Sequence, residues 1–265
     1  MPPARKRPRA YDPTKIRTAV LTQYAAVRQA VASLTDEQFA RPTRLGDWTV
    51  RELAAHLTMA LAAVVRALDA PAPAKAEVTL QNWAFQTSAA ADQVDDDVRG
   101  IVAAHPDLDA LFARPLDRLT AELPGIPATR VVPMRFGGMA LGDFMVTRTV
   151  ELIVHTDDLN AAVPGLDVPY DRQALAACTR LLADTLALKA PGGAVEFRVP
   201  PYAVVQCVEG PRHTRGTPPN VVETDPLTWI RLATGRATWA AERDAARVLA
   251  SGERADLAAL LPLMS

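Results

Sequence analysis

The chain has 265 residues, 49% hydrophobic and 22% charged, with a formal net charge of −1. This fits a soluble globular protein of one large or two ordinary domains, with no global field to attract nucleic acid or an anionic membrane. No run of about 18 apolar residues occurs, so no membrane span is expected; two well-separated cysteines, Cys178 and Cys207, argue against a disulfide scaffold or thiolate zinc site and suit a reducing cytoplasm.

Residues 1–13 are basic and proline-rich with no apolar stretch. They read as a solvated, disordered arm and not as a secretory signal. Residues 14–34 carry Ile16, Val20, Tyr24, Val27, Val31 and Leu34 at helical spacing. A loop from Arg41 to Asp47 follows. Thr49 and Glu52 then form a T-x-x-E capping box that opens a helix over 50–68, and Pro71 and Pro73 end it. Residues 80–122 look helical with a break at His105-Pro106. Thr129 to Phe136 is expected to be extended, with Gly137-Gly138 as the turn. The next helix spans 141–163 and stops at Pro164-Gly165. Four principal helices within 14–165 suit a helix bundle.

The pattern then changes. A helix over 172–188 leads to candidate strands at 194–199, 203–208, 220–223 and 248–251. Asp225-Pro226 starts a helix with proline at its first position, and a terminal helix is expected over 256–263. The fold class is therefore α+β, with a small α+β domain over 166–265 behind the bundle.

The most informative segment is Glu151-Leu152-Ile153-Val154-His155-Thr156-Asp157-Asp158. Glu151, His155 and Asp158 stand at i, i+4 and i+7, on one face of the helix. They flank an apolar run, and ionisable groups there are costly unless paired or bound to a metal. His56 shares a helical face with Leu53, Ala60 and Val64 and points into the bundle. Taken alone, His56 reads as a satisfied core histidine and Glu151 with His155 as a hydrogen-bonded pair. Together, two inward histidines and a carboxylate form the ligand set of an open metal site. Zinc, iron, nickel or manganese could use it. Asp158 either orients a ligand or meets substrate, or is a solvated helix-end carboxylate; Asp157, off the stripe, points away. Arg148 pairs with Glu151 or binds an anionic substrate. His105 reads as exposed, and His213 lies in a loop over 210–216 that is either an ordinary surface loop or a substrate-facing flap. Walker, GxGxxG, HExxH and nucleophile-elbow motifs are missing from the sequence, which argues against hydride transfer and NTP hydrolysis.

Gly46-Asp47-Trp48-Thr49-Val50-Arg51-Glu52-Leu53-Ala54-Ala55-His56-Leu57 resembles one signature of the mycothiol-dependent maleylpyruvate isomerase family, and Arg148 to Leu159 resembles another. Glu223 to Trp229, Thr234-Gly235-Arg236 and Ser251 to Leu257 resemble the family's sterol-carrier-like C-terminal domain. The resemblance implies a DinB-like four-helix bundle holding a divalent metal, usually zinc, on His56, Glu151 and His155. It implies mycothiol as thiol cosubstrate, a small electrophile as substrate, and a C-terminal arginine in the site, with Arg236 preferred over Arg231. The expected activity is isomerase or thiol transferase; a thiol-free metal hydrolase and a non-enzymatic lipid or small-molecule binder are the alternatives. The chain departs from the family pattern at Asp47, where glycine often precedes the tryptophan.

Overall fold

The computed structural model describes residues 9–210 and 218–264. Four long helices close a ring: α1 (Pro13–Ala32), α3 (Val50–Asp69), α6 (Leu108–Glu122) and α7 (Leu141–Ala162). α1 packs on α7 and α6, and α3 packs on the same two. Their apolar stripes interlock, with Val20, Tyr24 and Val27 of α1 and Leu53, Leu57 and Leu61 of α3 all buried. α7 is buried on nearly every side because α1, α3 and the later α8 (Arg172–Lys189) surround it. That is why polar side chains of α7, Arg148, Thr149, Thr156, Asp157 and Asp158 among them, are buried along with its apolar ones.

The ends of these helices follow their cap residues. Asp12 accepts the N–H groups of Thr14 and Lys15 at the start of α1. Glu52 accepts the Thr49 N–H at 2.8 Å, which fixes the start of α3 nearly two turns before His56. A short helix, α2 (Asp36–Phe39), precedes α3. The 80–122 stretch divides into α4 (Leu80–Trp83), α5 (Ala91–Ala104) and α6, and α5 leans on α3 outside the ring. Residues 1–8 of the expected N-terminal arm lie outside the described residues, but Arg9 is bidentate on Asp184 of α8, at 2.9 and 3.1 Å.

Between α6 and α7 stands a hairpin, β1 (Val131–Met134) paired antiparallel with β2 (Gly137–Ala140). The expected turn at Gly137-Gly138 is displaced: Arg135 and Phe136 make the turn, and the glycines begin β2. The reason is close packing. A Cβ on Gly138 would lie 2.4 Å from the Lys75 carbonyl oxygen, and the Gly138 carbonyl accepts the N–H groups of Glu77 and Val78. The glycine is needed for backbone approach, not for the bend.

The second domain is a four-stranded sheet in the order β4 (Ala203–Cys207), β3 (Val195–Val199), β5 (Val221–Thr224), β6 (Val248–Ser251). β3 and β5 run parallel, with Phe197 opposite Val222; the outer pairings are antiparallel. α8 and α9 (Pro226–Ala233) pack together, and the Phe197 and Trp229 rings meet at 4.5 Å in the core between them and the sheet. α10 (Trp239–Asp244), capped by Thr238, has no counterpart among the expected elements. The expected terminal helix over 256–263 is only a single 3-10 turn at Ala258–Leu260. Pro262 cannot extend a helix, and the chain there runs back to place Leu263 on the Ala233 carbonyl. No helix among the described residues is long and apolar enough to cross a membrane.

Candidate metal centre

α3 and α7 cross with His56 and His155 facing each other, their rings edge to face at 4.6 Å. Glu151, one turn before His155, completes the group. One ligand atom from each of the three lies within 4.8 Å of the other two. His56 Nε2 is 3.5 Å from Glu151 Oε2, and His155 Nε2 is 3.7 Å from the same oxygen. Both distances exceed a normal hydrogen bond. They match two ligands sharing one ion: donors held about 2.1 Å from a tetrahedral centre stand about 3.4 Å apart.

Two of the three side chains, His56 and Glu151, are poised in the charge state a ligand needs. Burial lowers the His56 pKa below its ordinary value, so its ring stays neutral, as a metal ligand must. Burial works against ionising Glu151, but the facing His56 and the Arg148 guanidinium outweigh it and hold the carboxyl well below the usual carboxylate range. Asp158 is fully buried and meets His155 Nδ1 at 2.8 Å. Burial again opposes its charge, and the contacts with His155 and Arg236 win and keep it ionised. An ionised carboxylate can only accept, so Nδ1 carries a proton in this contact, and Nε2 is the ring nitrogen turned toward Glu151.

Behind the triad lies a network of which the sequence named Asp158, Arg236 and Arg231 but neither Arg44 nor the pairings. Arg44 Nε reaches Asp158 and its Nη2 reaches Asp157, both at 2.5 Å. From the second domain, Arg236 is bidentate on Asp158 at 3.2 and 3.0 Å and donates to the Thr234 carbonyl at 2.7 Å. Arg231 grips Asp157 at 2.9 and 2.6 Å, and the Tyr170 hydroxyl donates to the same carboxylate. Asp157 does point away from the triad. It is nonetheless buried, because arginines from both domains cover it. Asp157 and Asp158 thus join the two domains directly behind the metal-facing groups.

Arg148 is buried on the Phe144 ring, with Nε and Nη2 both on the Thr147 hydroxyl and Glu151 at 3.8 Å. Three of its five N–H donors have no hydrogen-bond partner among the described residues. Arg236, by contrast, is committed to Asp158. His105 is exposed, and His213 with its loop lies outside the described residues. Trp48, in the motif but given no role from sequence, tilts its ring on His56 at 5.2 Å and donates its indole N–H to Asp95 at 2.7 Å.

Two cavities open onto the triad, of about 520 and 490 Å³, and both are lined by His56, Glu151 and His155. The first lies among α3, α7 and the β1–β2 hairpin. The second lies among the 45–48 loop, α5 and the Thr234–Arg236 segment. The triad therefore sits in a cleft of the size that takes small molecules.

Comparison with known proteins gives two family matches. Residues 20–160 match the mycothiol maleylpyruvate isomerase N-terminal domain, and residues 171–263 match the bacterial SCP ortholog family. Among solved structures, a mycothiol-dependent maleylpyruvate isomerase superposes with a TM-score of 0.58 at 16% identity, covering 91% of this chain and 93% of that one. A histidine-to-alanine mutant of the same enzyme gives 0.57 at the same identity and coverage. No curated protein sequence matches the chain.

Proposed function

The chain belongs to the mycothiol maleylpyruvate isomerase family, and we propose that it is a metal-dependent, mycothiol-using isomerase or thiol transferase acting on a small electrophile that carries a carboxylate. The observation that carries this reading is the convergence of His56, Glu151 and His155 at ion-sharing distances on a two-sided cleft. A divalent ion held by these three residues, zinc in our proposal, supplies the charge that turns a bound thiol into a thiolate.

The nucleophilic sulfur has to come from outside the chain. Cys178 and Cys207 are buried, and neither lines the cleft. Burial pushes both thiols up, Cys207 to about 11, so neither is a ready thiolate near neutrality. A thiolate adding to a carbon–carbon double bond conjugated to a carbonyl leaves a single bond free to rotate. Elimination of the same sulfur restores the double bond in the other geometry and returns the thiol. A transferase stops at the adduct. Arg148 holds the substrate carboxylate, because its unpaired donors suit a planar anion and it stands beside Glu151. Asp158 holds the His155 ring in register, and Arg236 acts through Asp158 as a positioning residue.

The test is metal analysis of the purified protein followed by calorimetric titration with mycothiol. Binding that is present in the metal-loaded protein and lost in the stripped one supports the reading. Full metal occupancy in a His56→Ala protein, or turnover with no thiol added, defeats it.

A further inference from the structure

The two cavities carry opposite charge. The first is lined by Arg66, Arg135 and Arg148, and its one carboxylate is Glu151 of the triad; Arg135 is engaged by Asp97 at 3.1 Å. Arg66 makes no ion pair or side-chain hydrogen bond among the described residues. The second is lined by Asp47, Asp92 and Asp95 with Arg99 and Arg236. Both of those arginines are already engaged, Arg99 by Asp95 at 3.0 Å and Arg236 by Asp158. Asp95 also holds the Trp48 indole. Asp47 and Asp92 are left without an ion pair or side-chain hydrogen bond among the described residues.

We propose that the two cavities separate the two reactants, the electrophile in the arginine-lined one and the thiol in the aspartate-lined one, and that Asp47 and Asp92 select an uncharged, hydroxyl-rich thiol over an anionic thiol. The inference rests on the thiol reading above and specifies its subsite. A carboxylate only accepts hydrogen bonds, so its fitting partner is a donor. The sugar hydroxyls and amide N–H groups of mycothiol are such donors, and that thiol carries no ionised group. Glutathione, with net charge −1, meets like charge in the same cavity, and like-charge juxtaposition suppresses wrong partners. A carboxylate-bearing electrophile is turned away from the aspartates for the same reason and toward Arg66 and Arg148. Both reactants still reach the triad, because His56, Glu151 and His155 line both cavities. Asp47, where the chain leaves the family pattern, falls on the wall that performs this selection.

The experiment is calorimetry on the metal-loaded protein with mycothiol and with glutathione as probes, alongside the KM for maleylpyruvate as probe electrophile. In an Asp47→Asn, Asp92→Asn double variant the mycothiol Kd is expected to rise about tenfold, the loss of hydrogen bonds to charged acceptors. Its glutathione Kd is expected to fall, and its KM for maleylpyruvate to stay put. An Arg66→Ser variant should do the converse, raising the KM for maleylpyruvate several-fold without moving the mycothiol Kd. An unchanged mycothiol-to-glutathione ratio in the double variant, or a shift in the mycothiol Kd from Arg66→Ser, overturns the assignment of cavities and leaves the thiol reading standing. A metal-loaded wild-type protein that binds no mycothiol overturns both.

Discussion

His155 stands on α7 against an ionised, fully buried carboxylate that two arginines neutralise from behind. His56 stands opposite on α3, where its Nδ1 is buried without a hydrogen-bond partner among the described residues and its ring leans on Trp48. One imidazole is oriented by charge and the other by packing. The difference follows from where each helix sits. The end of α7 meets the second domain, which supplies Arg231 and Arg236. The middle of α3 faces the cleft. The domain junction therefore backs the candidate metal centre on one side only, and changes on the two sides should have unequal effects.

The largest effect is expected from Asp158→Asn. The substitution keeps the shape but removes the charge that Arg44 and Arg236 neutralise and that fixes the His155 proton. Breaking one partner of a buried ionic group costs about 3–5 kcal/mol, and loss of a group orienting a metal ligand costs about 10–100-fold in affinity. Urea unfolding of the metal-free protein and a competitive metal titration read the two effects separately. Wild-type values in both would remove the basis for tying the domain junction to the centre.

Acid should separate the two sides by pH. His56 has its folded-state pKa lowered by burial. Its contribution is full above the unfolded value of about 6.5 and is lost as pH falls below it, because the unfolded chain binds a proton that the folded one refuses. Asp158 is also held below its ordinary value, so its contribution is full above about 4 and lost only at lower pH. The metal-free protein should therefore weaken in two stages. His56→Gln should remove part of the upper stage and Asp158→Asn part of the lower one, as followed by unfolding midpoints across pH. If His56→Gln left the upper stage intact, His56 would not be the neutral buried ring argued above.

Much of this was legible in the sequence, and the gaps have physical causes. The i, i+4, i+7 spacing of Glu151, His155 and Asp158 lies within one helix, and helical periodicity fixes which residues share a face. His56 was visible because its apolar neighbours at helical spacing show which face is buried. The network behind them was not. Arg44 lies in a loop 114 residues from Asp158, and no local rule pairs a loop arginine with a distant helix end. Two adjacent aspartates closing an apolar helix do demand cations, but 29 lysines and arginines leave the choice open. Gly138 shows a related limit: glycine signals freedom from a side chain, and only the neighbouring Lys75 carbonyl reveals that the freedom at this position serves packing rather than turning.

The smaller effects test the packing side and the outer edge of the charged side. Trp48→Phe keeps a ring against His56 and loses the indole bond to Asp95. Only a small loss of stability is expected, because solvent competes for the exposed Asp95 carboxylate, with metal affinity within about threefold of wild type. A loss as large as that of Asp158→Asn would mean that α3 depends on a polar anchor after all. Smallest is Arg231→Gln. Its side chain is 37% exposed, so solvent screens the pair and about 0.5–1 kcal/mol is the expected cost. Asp157 keeps Arg44 and Tyr170. Because Asp157 touches no member of the triad, metal affinity should not move at all. Equal metal loss in Arg231→Gln and Asp158→Asn would show that the two aspartates act as one unit, and the orienting role would then belong to the whole junction rather than to the single carboxylate behind His155.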